Sequence, residues 1–133
     1  MSGQYPNTFY RVAVKALIKN DKGEILLVKE KSDKWDLPGG GLDHNEEPED
    51  GIKRELLEEI GVTEVTVGKP ILVKSFWLED KQAWLMWIVY NVELHNNQFS
   101  FGEGVTAIEY LKPEILSQSP DERERFIPSI AHL

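Results

Sequence analysis

The chain has 133 residues, 41% hydrophobic and 29% charged, the size and balance of one globular domain with a single sizeable core. A formal net charge of -8 disfavours a nucleic-acid phosphate backbone as the main partner, and the lack of cysteine excludes disulfides and thiolate metal sites and fits a reducing, cytoplasmic setting. Nothing approaches a run of about 18 uncharged apolar residues, so no membrane span is expected, and MSGQYPNTFYRV lacks the basic-then-apolar pattern of a signal peptide.

FYRVAVKALIKN (9–20) alternates in part, with Val12, Val14, Ala16 and Ile18 on one side, and reads as a strand. Asn20-Asp21-Lys22-Gly23 is turn chemistry, so EILLVKE (24–30) is expected to return as the second strand of a hairpin. Trp35 to Leu37 extends briefly before PGGG (38–41), which is expected to break regular structure. A helix starts near Pro48, where Glu49 and Asp50 suit the positive end of its dipole, and stops at Gly61. Strands over 65–78 and 83–94 flank the charged turn EDKQ (79–82). A short strand near 106–111 then leads to Pro113 and a helix within 113–127. The order β-β-α-β-β-β-α over 1–133 predicts one α/β domain, a sandwich of helices around one mixed sheet.

On an ideal helix at about 100° per residue, Ile52, Leu56 and Ile60 share roughly 80° of arc and form the seat against the sheet. Glu55, Glu58 and Glu59 share roughly 100° of the adjacent face, where the helix edge meets its neighbours. Acids there repel one another, by a few tenths of a kcal/mol for each i,i+4 pair. An acidic face is ordinarily just solvated, and a Gly-rich turn ordinarily just a turn. Carboxylates beside a turn whose backbone can approach a ligand are also what a hard divalent cation requires.

The spacing between the two features carries a resemblance. Gly40, Glu46, Arg54, Glu55, Leu56, Glu58, Glu59, Gly61 and Val62 match the pattern G-x5-E-x7-R-E-U-x-E-E-x-G-U, where U is a bulky aliphatic residue. On these residues, and on the flanking WDLPGG (35–40), the chain resembles the Nudix hydrolase family, most closely its MutT-like members. The resemblance implies an α/β/α sandwich. It also implies a metal-dependent hydrolase cleaving a pyrophosphate bond in a nucleoside diphosphate linked to another moiety. Mg²⁺ or Mn²⁺ would be held by Glu55, Glu58, Glu59 and the backbone carbonyl of Gly39. Arg54 would orient the carboxylates, and Glu46 would fix the loop or the ligand shell. The general base would be a glutamate of the motif or Glu103 in FSFGEGVTAIEYL (99–111), with Glu109 as the fallback.

Three positions depart from the usual pattern. Asn45 replaces a common glycine and tolerates a left-handed backbone. Glu47 replaces a Ser or Thr cap at about 1 kcal/mol. Gly51 replaces alanine inside the helix at about 1 kcal/mol. For substrate, Trp35 beside the glycine turn and Lys29 and Lys31 at a strand end are the candidates, with Lys34, His44, Trp77, Trp84 and Trp87 weaker. The expected partner is a small nucleotide, with no membrane, and the chain acting as monomer or homodimer. A non-catalytic nucleotide-sensing Nudix domain would have lost one of Glu55, Glu58 and Glu59, all of which are present. An RNA 5'-end pyrophosphohydrolase is disfavoured by the net charge and the lack of a basic stripe. A calcium-binding module would need an Asp/Asn-rich loop of about 12 residues, and none is present.

Overall fold

The first strand of the described residues, β1 (Tyr10–Leu17), buries both of its faces, and that determines the architecture. A computed structural model describes residues 9–133. The N-terminal stretch that bears on a signal peptide, and the start of the expected domain, lie outside the described residues. The further elements are β2 (Ile25–Lys29), β3 (Trp35–Asp36), β4 (Gly39–Gly41), α1 (Pro48–Ile60), β5 (Val65–Leu78), β6 (Ala83–Leu94) and β7 (Ala107–Leu111). A single 3-10 turn (Pro113–Leu116) and α2 (Glu122–Ile130) complete the chain.

Val14, Ala16, Ile18, Leu26 and Val28 pack with Ile52, Leu56 and Ile60 of α1 in one core cluster. Ala13, Leu17, Ile25 and Leu27, alternate residues of the same two strands, pack instead with Trp87, Phe76 and Ile127 and Ile130 of α2 in a second. Side chains alternate across a strand, so this is helix on both faces, the expected α/β/α sandwich.

The strands divide differently from the expectation of one sheet with an N-terminal hairpin. They form a four-stranded sheet ordered β4-β1-β6-β5 and a three-stranded one ordered β3-β2-β7. The turn at Asn20–Gly23 does close: Asn20 Oδ1 accepts from the Lys22 and Glu24 N–H groups, and Lys19 bridges Ile25. Beyond that bridge the strands part. β1 pairs in parallel with β6, Tyr10 to Leu17 against Trp84 to Asn91, while β2 pairs antiparallel with β7 and β3. PGGG is likewise not a break, since Gly39–Gly41 is a strand antiparallel to Ala13–Lys15. Glycine permits it: Gly39 has φ 133, and a Cβ there would overlap the Val14 carbonyl oxygen.

α1 follows its sequence signals. Pro48 opens it, and Gly61 closes it in the left-handed conformation. Glu47 makes no side-chain cap bond among the described residues, as expected, and Asn45 is left-handed at φ 65. Gly51 is corrected: it is buried, and a Cβ would lie 2.8 Å from Leu42 Cδ1, so glycine there answers to close packing. The C-terminal helix is also corrected. Pro113–Leu116 forms only a 3-10 turn, and α2 starts afresh at Asp121, whose carboxylate accepts from the Glu124 N–H at 2.9 Å. Among the described residues no helix is long and apolar enough to cross a membrane.

Candidate active site

The angular spread of the three acids along α1 sets their environments. Glu59 lies nearest the direction of Ile52 and is only 8% exposed, whereas the Glu58 side chain, turned furthest away, is about half exposed. Glu55 lies between them, largely buried. Its carboxylate is directly over Gly40, where a Cβ would come within 2.6 Å of Oε1. A side chain at Gly40 would therefore displace it.

Arg54 ties this face to the preceding loop. Its Nε and Nη2 donate to Glu46 Oε2 and Oε1 at 2.7 and 3.0 Å, a two-pronged ion pair. Nη1 donates to Glu55 Oε1 at 3.0 Å and Glu58 Oε2 at 3.1 Å, and Nη2 also reaches the Gly41 carbonyl at 3.0 Å. Glu46 Oε1 in addition accepts from the Asp43 N–H at 3.0 Å. The Arg54 hydrogen bond, with the Asp43 amide, holds the Glu46 carboxyl down at about 2, and Glu46 in turn raises the Arg54 pKa. Burial raises the Glu55 carboxyl, against the pull of Arg54.

Glu59 belongs to a different set of contacts. Its Oε1 accepts from the Gly39 N–H at 2.7 Å, and it faces the carboxyl of Glu30 at the end of β2. Burial, followed by the Glu30 carboxyl, pushes Glu59 up to about 9, while the Gly39 amide and Lys15 pull the other way. Among the described residues no three His, Cys, Asp or Glu side chains converge on one point. Glu55 and Glu58 are turned to Arg54, and Glu59 to Gly39. The donors nonetheless fit a hard divalent cation: carboxylate and carbonyl oxygens only, with a buried carboxyl held against a second one that a cation would relieve.

Glu103 is exposed, in a loop anchored to the C-terminal end of α1. The Ser100 N–H donates to Ile60 O and the Gly102 N–H to Glu59 O, each at 3.0 Å. Gly102 presses on the helix so closely that a Cβ would overlap the Glu58 carbonyl oxygen. Glu109 is an exposed residue of β7 paired with Leu27.

A cavity of about 720 Å³ opens beside Gly39–Gly41, lined also by Trp35, Trp87, Lys15, Asp36, Glu30 and Arg11. Trp35 is thus a cavity residue, with Lys34 and Trp87. Lys29 lies outside the lining, its Nζ 4.7 Å from the Trp35 ring centroid and 3.8 Å from Asp33, and Lys31 packs beside Gly104. His44 is exposed, and Trp77 and Trp84 pack edge-to-face on the outer part of the sheet. Lys15, Glu30 and Asp36 were not among the sequence candidates. A charge at Lys15, flanked on its strand face by the buried Ala13 and Leu17, was the available signal.

The model of the NUDIX domain family matches residues 9–133. The chain is 49% identical over 55 residues to an RNA pyrophosphohydrolase of Ruthia magnifica subsp. Calyptogena magnifica, covering 41% of this chain and 31% of that protein. It is 28% identical over 122 residues to the nucleoside triphosphatase NudI of Escherichia fergusonii, covering 81% of this chain and 86% of that one. The matches to RNA pyrophosphohydrolases span less than half of those proteins' length. A MutT protein from Methanosarcina mazei Go1 superposes with a TM-score of 0.78 over 96% of both chains at 23% identity, a likeness of fold.

Proposed function

The chain belongs to the NUDIX domain family, and from that premise we propose that it is a hydrolase cleaving a pyrophosphate bond in a small nucleotide or nucleotide conjugate. The observation that carries this reading is the pairing of two features: the Arg54-bound acidic face of α1, and the buried Glu59 carboxyl at Gly39, on the rim of the large cavity. Glu55, Glu58, Glu59 and the Gly39 carbonyl would hold a divalent cation, Mg²⁺ or Mn²⁺. The cation supplies charge neutralisation for the diphosphate and a lowered pKa for the attacking water.

The chain's own residues then have distinct tasks. Arg54 spaces and orients Glu55 and Glu58, and Glu46 and the Gly41 carbonyl fix Arg54 itself. Gly39–Gly41 let backbone and carboxylates approach the phosphates closely. Trp35 and its neighbours enclose the group beyond the diphosphate. Removal of a proton from water falls to a carboxylate of α1 or to Glu103 across the anchored loop. We place this chemistry in the cytoplasm.

The names of several relatives favour a second reading, in which the substrate is an RNA 5' end. The net charge of -8 favours the small nucleotide. The test is a Mg²⁺-dependent screen of nucleoside triphosphates, dinucleoside polyphosphates, ADP-ribose, nucleotide sugars and a 5'-triphosphorylated RNA, with products identified by mass spectrometry. Cleavage of a small nucleotide at its pyrophosphate bond supports the first reading, cleavage of the RNA alone supports the second, and no product from any of them contradicts both.

A further inference from the structure

Lys15 is 6% exposed, on a strand face it shares with Ala13 and Leu17. Its Nζ donates to Asp36 Oδ2 at 3.0 Å, to the Leu37 carbonyl at 3.2 Å and to the Gly39 carbonyl at 3.5 Å. It also lies 5.5 Å from the centroid of the Trp87 ring. Lys15 and Gly39 are register partners between β1 and β4. Gly39 is therefore gripped from two sides: its carbonyl receives an ammonium, and its N–H donates to Glu59 at 2.7 Å.

A buried lysine whose three donors are all taken has an ordinary use, as a clamp that shapes the turn. Its position carries a second consequence. The oxygen that Lys15 approaches is the one the proposed function assigns to a divalent cation. Like charges this close, away from water, repel strongly. We propose that Lys15 is a positioning residue that opposes divalent-cation binding at the Gly39 carbonyl in the free protein, so that the cation is taken up together with the pyrophosphate anion of the substrate. The anion adds negative charge beyond the Asp36 carboxylate already paired with the ammonium, and the metal–nucleotide complex becomes the form bound. This inference rests on the proposed metal site.

The sign of one effect separates the two roles. A clamp alone predicts that loss of Lys15 loosens the turn and weakens cation binding; an opposing charge predicts tighter binding. The measurement is Mn²⁺ binding to the full chain by electron paramagnetic resonance, with no nucleotide present. Lys15→Met/Asp36→Asn removes both charges together, so that no buried carboxylate is left unpaired. Lys15→Gln, which keeps donors for the Leu37 and Gly39 carbonyls, is read in the same way, and thermal unfolding checks the fold of each. The Mn²⁺ dissociation constant should fall at least tenfold in Lys15→Gln, and by less in the double variant, which also loses the Asp36 carboxylate that attracts the cation. Added inorganic imidodiphosphate, corrected for its own chelation, should tighten Mn²⁺ binding more in the wild type than in either variant. Binding that is unchanged or weaker in Lys15→Gln overturns the role of Lys15 and leaves the proposed function standing. If the wild type with imidodiphosphate shows no Mn²⁺ binding that Glu59→Gln removes, the metal site itself falls, and this inference with it.

Discussion

Raising the pH of the chelator-treated protein from 6 to 8 should lower its stability, and Glu59→Gln should remove most of that loss. Glu59 is 8% exposed, and burial together with the facing Glu30 carboxyl pushes it up to about 9. In the unfolded chain a glutamate titrates near about 4.3. Between those values the folded protein holds a proton that the unfolded chain has released, so stability falls as the pH rises. The loss is at most about 1.4 kcal/mol per pH unit, and so about 2–3 kcal/mol over this interval. For a chain of this length that is roughly 5–10 °C in Tm. Glu46 does not interfere: its carboxyl is held at about 2, so its contribution is present throughout the interval and is lost only in acid. Urea unfolding of both proteins in EDTA at several pH values gives the two profiles, and their difference isolates Glu59. A flat wild-type profile, or an equal slope in Glu59→Gln, would refute the assignment of a proton to this buried carboxyl.

Replacing the uncapped Glu47 with Ser should stabilise α1 by about 1 kcal/mol, seen as a higher Tm; no gain would mean that the chain entering the helix is satisfied in another way. Gly102→Ala should destabilise by about 1–3 kcal/mol, because the new methyl group overlaps the Glu58 carbonyl oxygen and one backbone must move. Calorimetry would read this, and an unchanged Tm would show that the loop is not pressed on the helix. Glu103→Gln should lower kcat more than KM if Glu103 is the base, and an unchanged kcat returns it to the role of an exposed loop residue.

The motif residues and α1 were legible because both are local. Pro48, the Ile52–Leu56–Ile60 face and Gly61 act within one helix, and the helix spans Pro48–Ile60. The long strands 65–78 and 83–94 were legible from their apolar runs and the charged turn between them. The division into two sheets was not. β1 and β2 are buried on both faces, so the partial alternation of β1 and the apolar run of β2 do not assign their partners, and the turn between them is the same whether or not the strands stay paired. The parallel β1–β6 pairing joins segments far apart in sequence and leaves no local mark. The strand at Gly39–Gly41 has no side chains with which to announce itself. Two signals were present and passed over: Ser119-Pro120-Asp121, which caps α2, and Lys15, a charge flanked on its face by Ala13 and Leu17. Glu30 was hidden by its neighbours, because Lys29 and Lys31 on either side were the residues read as substrate candidates, while the carboxyl between them faces Glu59.

The most direct test compares the wild type with Glu58→Gln and Glu59→Gln on the best substrate from the screen, at saturating Mg²⁺, with folding verified for each. Each substitution keeps the volume of the side chain and removes one carboxylate from a site for a hard cation. The account predicts a kcat several orders of magnitude lower in both variants with the fold intact. Near-normal Mg²⁺-dependent turnover in both would contradict the assignment of this helix face as the metal site.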